Sequence, residues 1–490
     1  MPALATADLA VLVAYAAVVI ALGAWASRRQ RGTDAYFLAN RDLPWLLVGI
    51  SILATAFSAA SLLGGPGEAY ASGMLWLQLQ VGDLVAIAIV VAVFIPALRG
   101  RDLTTAYEIL EERFDHRVRA TASALFIGQV LFRTGILIYG PALALATVTG
   151  VDVRWAIVAV GVVATVYTVL GGITAVIWTD ALQLVVVLVG LGACIVTLVG
   201  EIGGVGTALE IGAASGHWRV IDLDQPWTSV RSLPGAVIGY GLLAASVAGT
   251  NQQSVQRYLT CRDVAAARRA AWTGWAVGFV VTALTLVVGV LLYVYHLGAG
   301  PAVVAELGPD AVFPHFIGHV LPPGVSGLLV AAIFAAAMSS LDSALNSLAT
   351  ATMHDFVQRY RRRPVPPPRQ LIWARWLTVL WGVTAIAAAL YVAGQGTLLA
   401  LAVRYMGYFA GPVLGLFVLA LVPRRVGATA ALLGAGLGFA GVLGFELFAR
   451  TSGAFPGLGI WACAAGLVAT LGLTVVIDTL ARRREASGQR

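Results

Sequence analysis

Apolar runs of about 20 residues recur along the whole chain, and each is long enough to cross the hydrocarbon core of a bilayer as a helix. The 490 residues are 59% hydrophobic and only 11% charged, with a mean hydropathy of +0.87. Backbone polar groups must be paired inside the bilayer, so the sequence predicts an all-α integral membrane protein. The first run, at 6–26, has no basic segment before it, and we interpret it as a retained span rather than a signal peptide.

Charged and Gly/Pro-rich breaks between these runs predict about thirteen transmembrane helices. Arginine is concentrated in alternate gaps, such as "SRRQRG" and "QRYLTCRDVAAARRA", and in the tail "ARRREASGQR". The positive-inside rule therefore places the N-terminus outside and the C-terminus in the cytoplasm of a multi-pass protein of the cytoplasmic membrane. For the same reason, the net charge of +7 indicates topology and no nucleic-acid partner.

Two of the predicted spans are interrupted. The span at 43–64 has small and hydroxyl residues at its centre and "GGPG" (64–67) near its end, and the span at 231–256 contains "GTNQQ" (249–253). They lie five spans apart and face opposite ways. Interrupted helices at corresponding positions of inverted repeats indicate the midplane site of a secondary transporter. We therefore expect a five-plus-five inverted-repeat core whose first helices are broken.

This pattern divides the chain into five parts. They are a flanking helix with a cytoplasmic loop (1–41), a first inverted half (42–200), an extracellular loop (201–230), a second inverted half (231–422), and two C-terminal helices with a basic cytoplasmic tail (423–490).

A polar stripe lies within the otherwise apolar span predicted at 323–350. Ser339, Ser340, Asp342 and Ser343 share one face of this helix. Small and hydroxyl residues allow helices to pack closely, whereas an intramembrane carboxylate normally marks an ion or proton path. Neutral oxygens beside a carboxylate suit a monovalent cation. The stripe therefore either joins helices or binds a cation, with a proton on Asp342 or Asp180 as the alternative ion.

Two of the other charged residues inside predicted spans, Asp180 and Arg133, are candidates for a function. Asp180, in "GGITAVIWTDALQL", is either the cap of a helix start or a cation ligand. Arg133, in "LFRTGILIYGPALAL", is either a snorkelling or helix-packing arginine or an anion ligand. No HExxH motif and no nucleophile elbow is found, so the sequence does not predict an enzyme.

Four segments resemble the sodium:solute symporter family, in that family's order: "DAYFLANRDLPWLLVGISILATAFSAASLLGGPGEAYASG", "GGITAVIWTDALQ", "NQQSVQRYLTCRDVAAARRA" and "AAIFAAAMSSLDSALNSLATATMHDF". The resemblance covers residues 34–425. It implies a leucine-transporter-type fold and inward cotransport of sodium with a small organic solute. "GGPGEAY", "ILIYGPALALATVTG" and "VQRYL" are closer to the branch that includes monocarboxylate, vitamin and iodide carriers, which suggests a monocarboxylate.

The resemblance also implies site residues. The common sodium site would consist of backbone oxygens and hydroxyls of Ala54, Phe57, Ala336, Ser339 and Ser340. A second sodium site would consist of Asp180, Asp342 and Ser343, and Asp342 leaves the stoichiometry open because some members have a hydroxyl there. The solute cavity would include Ser61, Gln80, Asn251 and Tyr405. Proton coupling on the same fold, and a membrane sensor without transport, are the alternative functions.

Overall fold

The computed structural model describes residues 5–27, 39–101, 103–170, 173–227, 229–299, 308–361, 365–423, 426–452 and 458–488. Within these ranges the chain is nearly all helical, and the β contact is one isolated bridge between Leu43 and Cys261. The predicted all-α membrane architecture is confirmed.

The α-helices, in chain order, are α1 (Thr6–Ser27), α2 (Trp45–Ala56), α3 (Ala59–Ser72), α4 (Leu79–Ile89), α5 (Ile95–Arg99), α6 (Glu108–Arg113), α7 (His116–Thr149), α8 (Val153–Leu170), α9 (Ile173–Ile202), α10 (Val205–Ala214), α11 (Gly241–Thr250), α12 (Gln252–Thr260), α13 (Val264–Ala299), α14 (Pro309–His319), α15 (Val325–Ala351), α16 (Gln358–Tyr360), α17 (Pro367–Val392), α18 (Leu398–Leu421), α19 (Ala428–Ser452) and α20 (Ala462–Gly488). Short π-helical segments at Val90–Phe94, Gly235–Tyr240 and Thr352–Val357 continue α4, precede α11 and follow α15.

Nine helical stretches of the described chain are long and apolar enough to cross a membrane. The spans predicted at 6–26, 43–64, 154–170 and 231–256 correspond instead to shorter apolar helical segments in α1, α2, α8 and α11. The total of about thirteen spans therefore stays a prediction.

The two spans that the sequence predicts to be interrupted, at 43–64 and 231–256, each consist of two helices separated by extended backbone. Between α2 and α3 the backbone is extended at Phe57 (φ −84°, ψ 118°) and Ser58 (φ −124°, ψ 174°). Between α11 and α12 it is extended at Asn251, whose side-chain oxygen accepts a hydrogen bond from the Gln253 N–H at 2.9 Å. Each break leaves backbone groups without helical partners in the middle of the protein.

The "GGPG" segment is not part of a break, because residues 64–67 lie within α3. Its glycines serve close packing instead. A Cβ on Gly67 would overlap the carbonyl oxygen of Pro309 at the start of α14, and one on Gly65 would lie 2.8 Å from the Thr285 methyl group of α13.

The helix with the polar stripe, α15, lies at the centre of the fold. It packs against α2, α7, α8 and α9, and its residues from Ser339 to Ala351 are all buried. Its N-terminus is capped from another helix, because the Asp8 carboxylate of α1 accepts the N–H groups of Gly324 and Gly327 at 2.7 Å. Helix α1 thus holds one end of α15.

The other end of α15 is held by an ionic network around the buried carboxylate of Asp355. Arg119 of α7 donates to it at 2.6 Å, Ser123 at 2.7 Å and Thr105 at 3.0 Å. Arg119 also pairs with Glu111 of α6 at 2.9 Å. This network ties the end of α15 to α6, α7 and the segment before α6.

Gln252, the first residue after the break at Asn251, contacts the same segment. Its amide nitrogen donates to the Thr104 carbonyl at 3.1 Å, and its amide oxygen accepts the Ala106 N–H at 2.7 Å. One side chain thus joins a broken helix to the segment before α6.

Candidate ion and solute sites

Five oxygen-bearing residues converge where α15 passes the break between α2 and α3. The Ser339 hydroxyl lies 2.9 Å from the Ala54 carbonyl oxygen and 3.2 Å from that of Ala336. The Ser340 hydroxyl lies 3.4 Å from the carbonyl oxygens of both Ala54 and Phe57. The structure therefore brings together all the residues expected at the common sodium site.

The local fold explains why these oxygens are available. The last carbonyls of a helix have no intrahelical donor, and α2 ends at Ala56 in the protein interior. The Ala54 carbonyl consequently accepts from serines of α15, and the Thr55 carbonyl accepts from Ser340 at 3.2 Å and from Arg133 at 2.6 Å. Freed carbonyls with nearby hydroxyls are the hard oxygen ligands that a small cation prefers.

Asp180 does not cap a helix start, because α9 begins at Ile173 and Asp180 lies two turns further on. Its carboxylate accepts from the Ser51 hydroxyl at 2.5 Å and lies 3.5 Å from the Arg257 guanidinium. Both charged groups are almost completely buried. Sequence reasoning missed Arg257, because this residue lies just outside the predicted span 231–256, in the arginine-rich gap "QRYLTCRDVAAARRA".

The three residues expected at a second sodium site do not share one set of contacts. Arg257 donates to the Ser343 hydroxyl at 2.6 Å, so its guanidinium connects Ser343 with Asp180. Asp342 accepts instead from the Thr168 hydroxyl of α8 at 2.6 Å. A guanidinium thus already neutralises Asp180, while Asp342 has a neutral partner.

A cavity of about 290 Å³ adjoins the five-oxygen site, and Phe57 lines both. Ser61 and Gln80 line its wall, as expected for solute contacts. Most of the remaining lining is apolar, with Trp76 and Tyr240 among its aromatic residues.

Asn251 and Tyr405 are not among the residues that line this cavity, so their contact with the solute stays a prediction. Asn251 caps α12 and donates to Gln129 at 3.1 Å. The Tyr405 hydroxyl donates to Gln395 at 2.9 Å. Both polar groups are therefore engaged within the protein.

Two charged residues lie in the cavity wall instead, Arg133 of α7 and Asp83 of α4. Asp83 was not singled out from the sequence, although it interrupts the apolar run "LQVGDLVAIAI". An ionisable residue inside a span is a functional candidate by default, and that rule would have identified it.

Broken helices that supply free carbonyls beside a cavity are typical of a secondary active transporter. Comparison with known proteins supports this class. The chain is 31% identical to the human sodium-coupled monocarboxylate transporter 1 over 85% of this chain and 69% of that protein. It is 30% identical to the human sodium/iodide cotransporter, over 86% and 66%. It is also 31% identical to the sodium/sialic acid symporter NanT of Aliivibrio fischeri, over 88% and 86%.

The solved structure of a Na⁺-coupled sialic acid symporter in a substrate-bound outward-open state superposes with a TM-score of 0.85 at 28% identity, covering 97% of this chain and 98% of that one. The nucleobase-cation-symport-1 transporter Mhp1 shares the fold, with a TM-score of 0.57 at 16% identity and coverage of 91% and 94%. The chain spans about two thirds of the length of the two human relatives.

The sodium:solute symporter family model matches residues 36–438, and the chain belongs to that family. It is a multi-pass membrane transporter rather than an enzyme, and sodium is the co-transported ion.

Proposed function

We propose that this protein takes up a small organic carboxylate together with sodium, by alternating access across the cytoplasmic membrane. The observation that carries the proposal is the convergence of Ala54, Phe57, Ala336, Ser339 and Ser340 beside the cavity. We further propose the topology inferred from the arginine distribution, with the N-terminus outside and the C-terminus in the cytoplasm.

Sodium would couple to solute through the break between α2 and α3. An ion held by Ala54, Phe57 and the serines of α15 draws the end of α2 towards α15. This contact orders Phe57, which also lines the cavity. Each ligand then raises the affinity for the other by the same factor. The membrane potential contributes about 2.3 kcal/mol per charge per 100 mV to this inward flow.

Arg133 supports a carboxylate as the solute. Its guanidinium lines the cavity and is fixed by hydrogen bonds to the Thr55 carbonyl at 2.6 Å and the Gln253 side chain at 2.8 Å. No carboxylate of the described residues pairs with it. A buried guanidinium held by neutral acceptors is suited to recognising a carboxylate.

We propose one sodium ion at the five-oxygen site. A second ion would need Asp180, Ser343 and Asp342, and the first two would have to exchange their Arg257 contacts for it.

Uptake into proteoliposomes, with a panel of labelled small carboxylates, tests the proposal. Uptake should require an inward sodium gradient, fall when potassium replaces sodium, and survive a protonophore. Uptake that is independent of sodium but collapses with a protonophore would instead establish the alternative, proton coupling.

A further inference from the structure

The solute cavity contains an acidic side chain as well as a basic one. Asp83 lies one turn after the start of α4, and its carboxylate accepts from the Gln80 amide at 3.2 Å. The Tyr240 hydroxyl lies against the same carboxylate. Gln80, Asp83 and Tyr240 all line the cavity.

Asp83 has no cationic partner within the described ranges, where its contacts are the neutral side chains of Gln80 and Tyr240. This distinguishes it from Asp180 and Asp355, which are paired with Arg257 and Arg119. A carboxylate in a largely apolar cavity is costly unless a cation or several donors compensate it.

Arg133 and Asp83 are separate groups in one cavity and do not neutralise each other by direct contact. Arg133 is held by Thr55 and Gln253, whereas Asp83 is held by Gln80. Tyr240 lines the same cavity as both groups. A plain monocarboxylate would satisfy the guanidinium but would leave Asp83 uncompensated and would be repelled by it.

We propose that the solute is an ammonium carboxylate, whose carboxylate binds Arg133 and whose cationic nitrogen faces Asp83. This inference rests on the proposed function, because it assigns the other end of the same solute. A zwitterion supplies both missing charges and brings no net charge into the cavity. Charge-assisted hydrogen bonds are the stronger ones, so the amino group should improve binding about tenfold or more.

The test compares acids that differ only in an amino group: propionate with β-alanine, and butyrate with 4-aminobutyrate. Binding to the purified full chain is measured as the concentration dependence of thermal stabilisation, with and without sodium. The amino acid of at least one pair should bind about tenfold or more tightly than its plain acid, in a sodium-dependent manner.

Asp83→Asn supplies the decisive variant, because it removes the charge and keeps the shape beside Gln80 and Tyr240. It should weaken binding of the amino acid and tighten binding of the plain acid, so that the discrimination is lost. Asp224→Asn, in an exposed segment away from the cavity, is the matched control and should keep it.

The outcomes separate this inference from the proposed function. Sodium-dependent binding of plain acids only, or discrimination that is unchanged in Asp83→Asn, would overturn the inference and leave the carboxylate proposal standing. Binding of no acid from either class would overturn both.

Discussion

Replacing Ser340 with alanine tests the sodium site most directly. Its hydroxyl lies within 3.4 Å of the Ala54, Thr55 and Phe57 carbonyl oxygens, so it connects α15 with the end of α2. A polar group that binds a charged partner contributes about 1.5–3 kcal/mol to the binding free energy. The loss corresponds to a roughly 10- to 150-fold rise in the sodium concentration needed for half-saturation. Water can replace a single hydroxyl, so we expect a rise of about tenfold.

The folded protein should tolerate this change. In the variant the Ala54 carbonyl still accepts from Ser339, and the Thr55 carbonyl from Arg133. Sodium binding is measured as thermal stabilisation at constant ionic strength, which needs no knowledge of the solute. Ser347→Ala is the matched control, because the hydroxyl of this buried serine on the same helix bonds, within the described part of the chain, to the Ala344 carbonyl alone, at 2.9 Å. A half-saturating concentration for Ser340→Ala within twofold of the wild-type value would refute the ligand assignment.

Three further predictions concern the structure around the sites. Asp180→Asn should lower the yield and melting temperature strongly, because an unpaired buried arginine costs about 3–5 kcal/mol, and adding Arg257→Gln should recover part of the loss. If the double variant recovers neither yield nor melting temperature, the pairing of Asp180 with Arg257 is contradicted. Gly67→Ala should lower the melting temperature through its overlap with α14, by about 1–3 kcal/mol of stability. Gly192→Ala, with open space around it, should not. Asp355→Asn should loosen the N-terminal end of α7 and the C-terminal end of α15, and it should speed hydrogen exchange of the segment before α6. Unchanged hydrogen exchange of this segment would show that the Asp355 network does not hold it in place.

The sequence predicted the helical membrane architecture because apolar runs and helix breaks are local signals. It also led to Ala54, Phe57, Ala336, Ser339 and Ser340, because the hydroxyls share a helix face and the family motifs identify the carbonyls. The exact position of the break between α2 and α3 was harder to predict from the sequence. "GGPG" contains the residues that disfavour helices most, yet close packing against α13 and α14 holds it helical.

Long-range pairing could not be predicted from local signals. Asp180 and Arg257 lie 77 positions apart, and only the packing of α9 against neighbouring helices makes them partners. The orientation of Asn251 depends on the backbone turn at the break, which directs its amide to cap α12 instead of lining the cavity. Asp83 was detectable as a charge within a span, but its place in the same cavity as Arg133 required the fold.

The contact of Gln252 with the segment before α6 has a consequence for leakage. A transporter that changes state without its full cargo dissipates the sodium gradient. Rotation of α12 about the break at Asn251 would separate Gln252 from the Thr104 carbonyl and the Ala106 N–H. These two backbone groups would then lose their hydrogen-bond partner. At about 1 kcal/mol per hydrogen bond, that separation would make idle cycling roughly thirtyfold rarer. One glutamine side chain would thus disfavour the change of state in the empty transporter. Contacts made by bound sodium and solute would compensate for the lost hydrogen bonds.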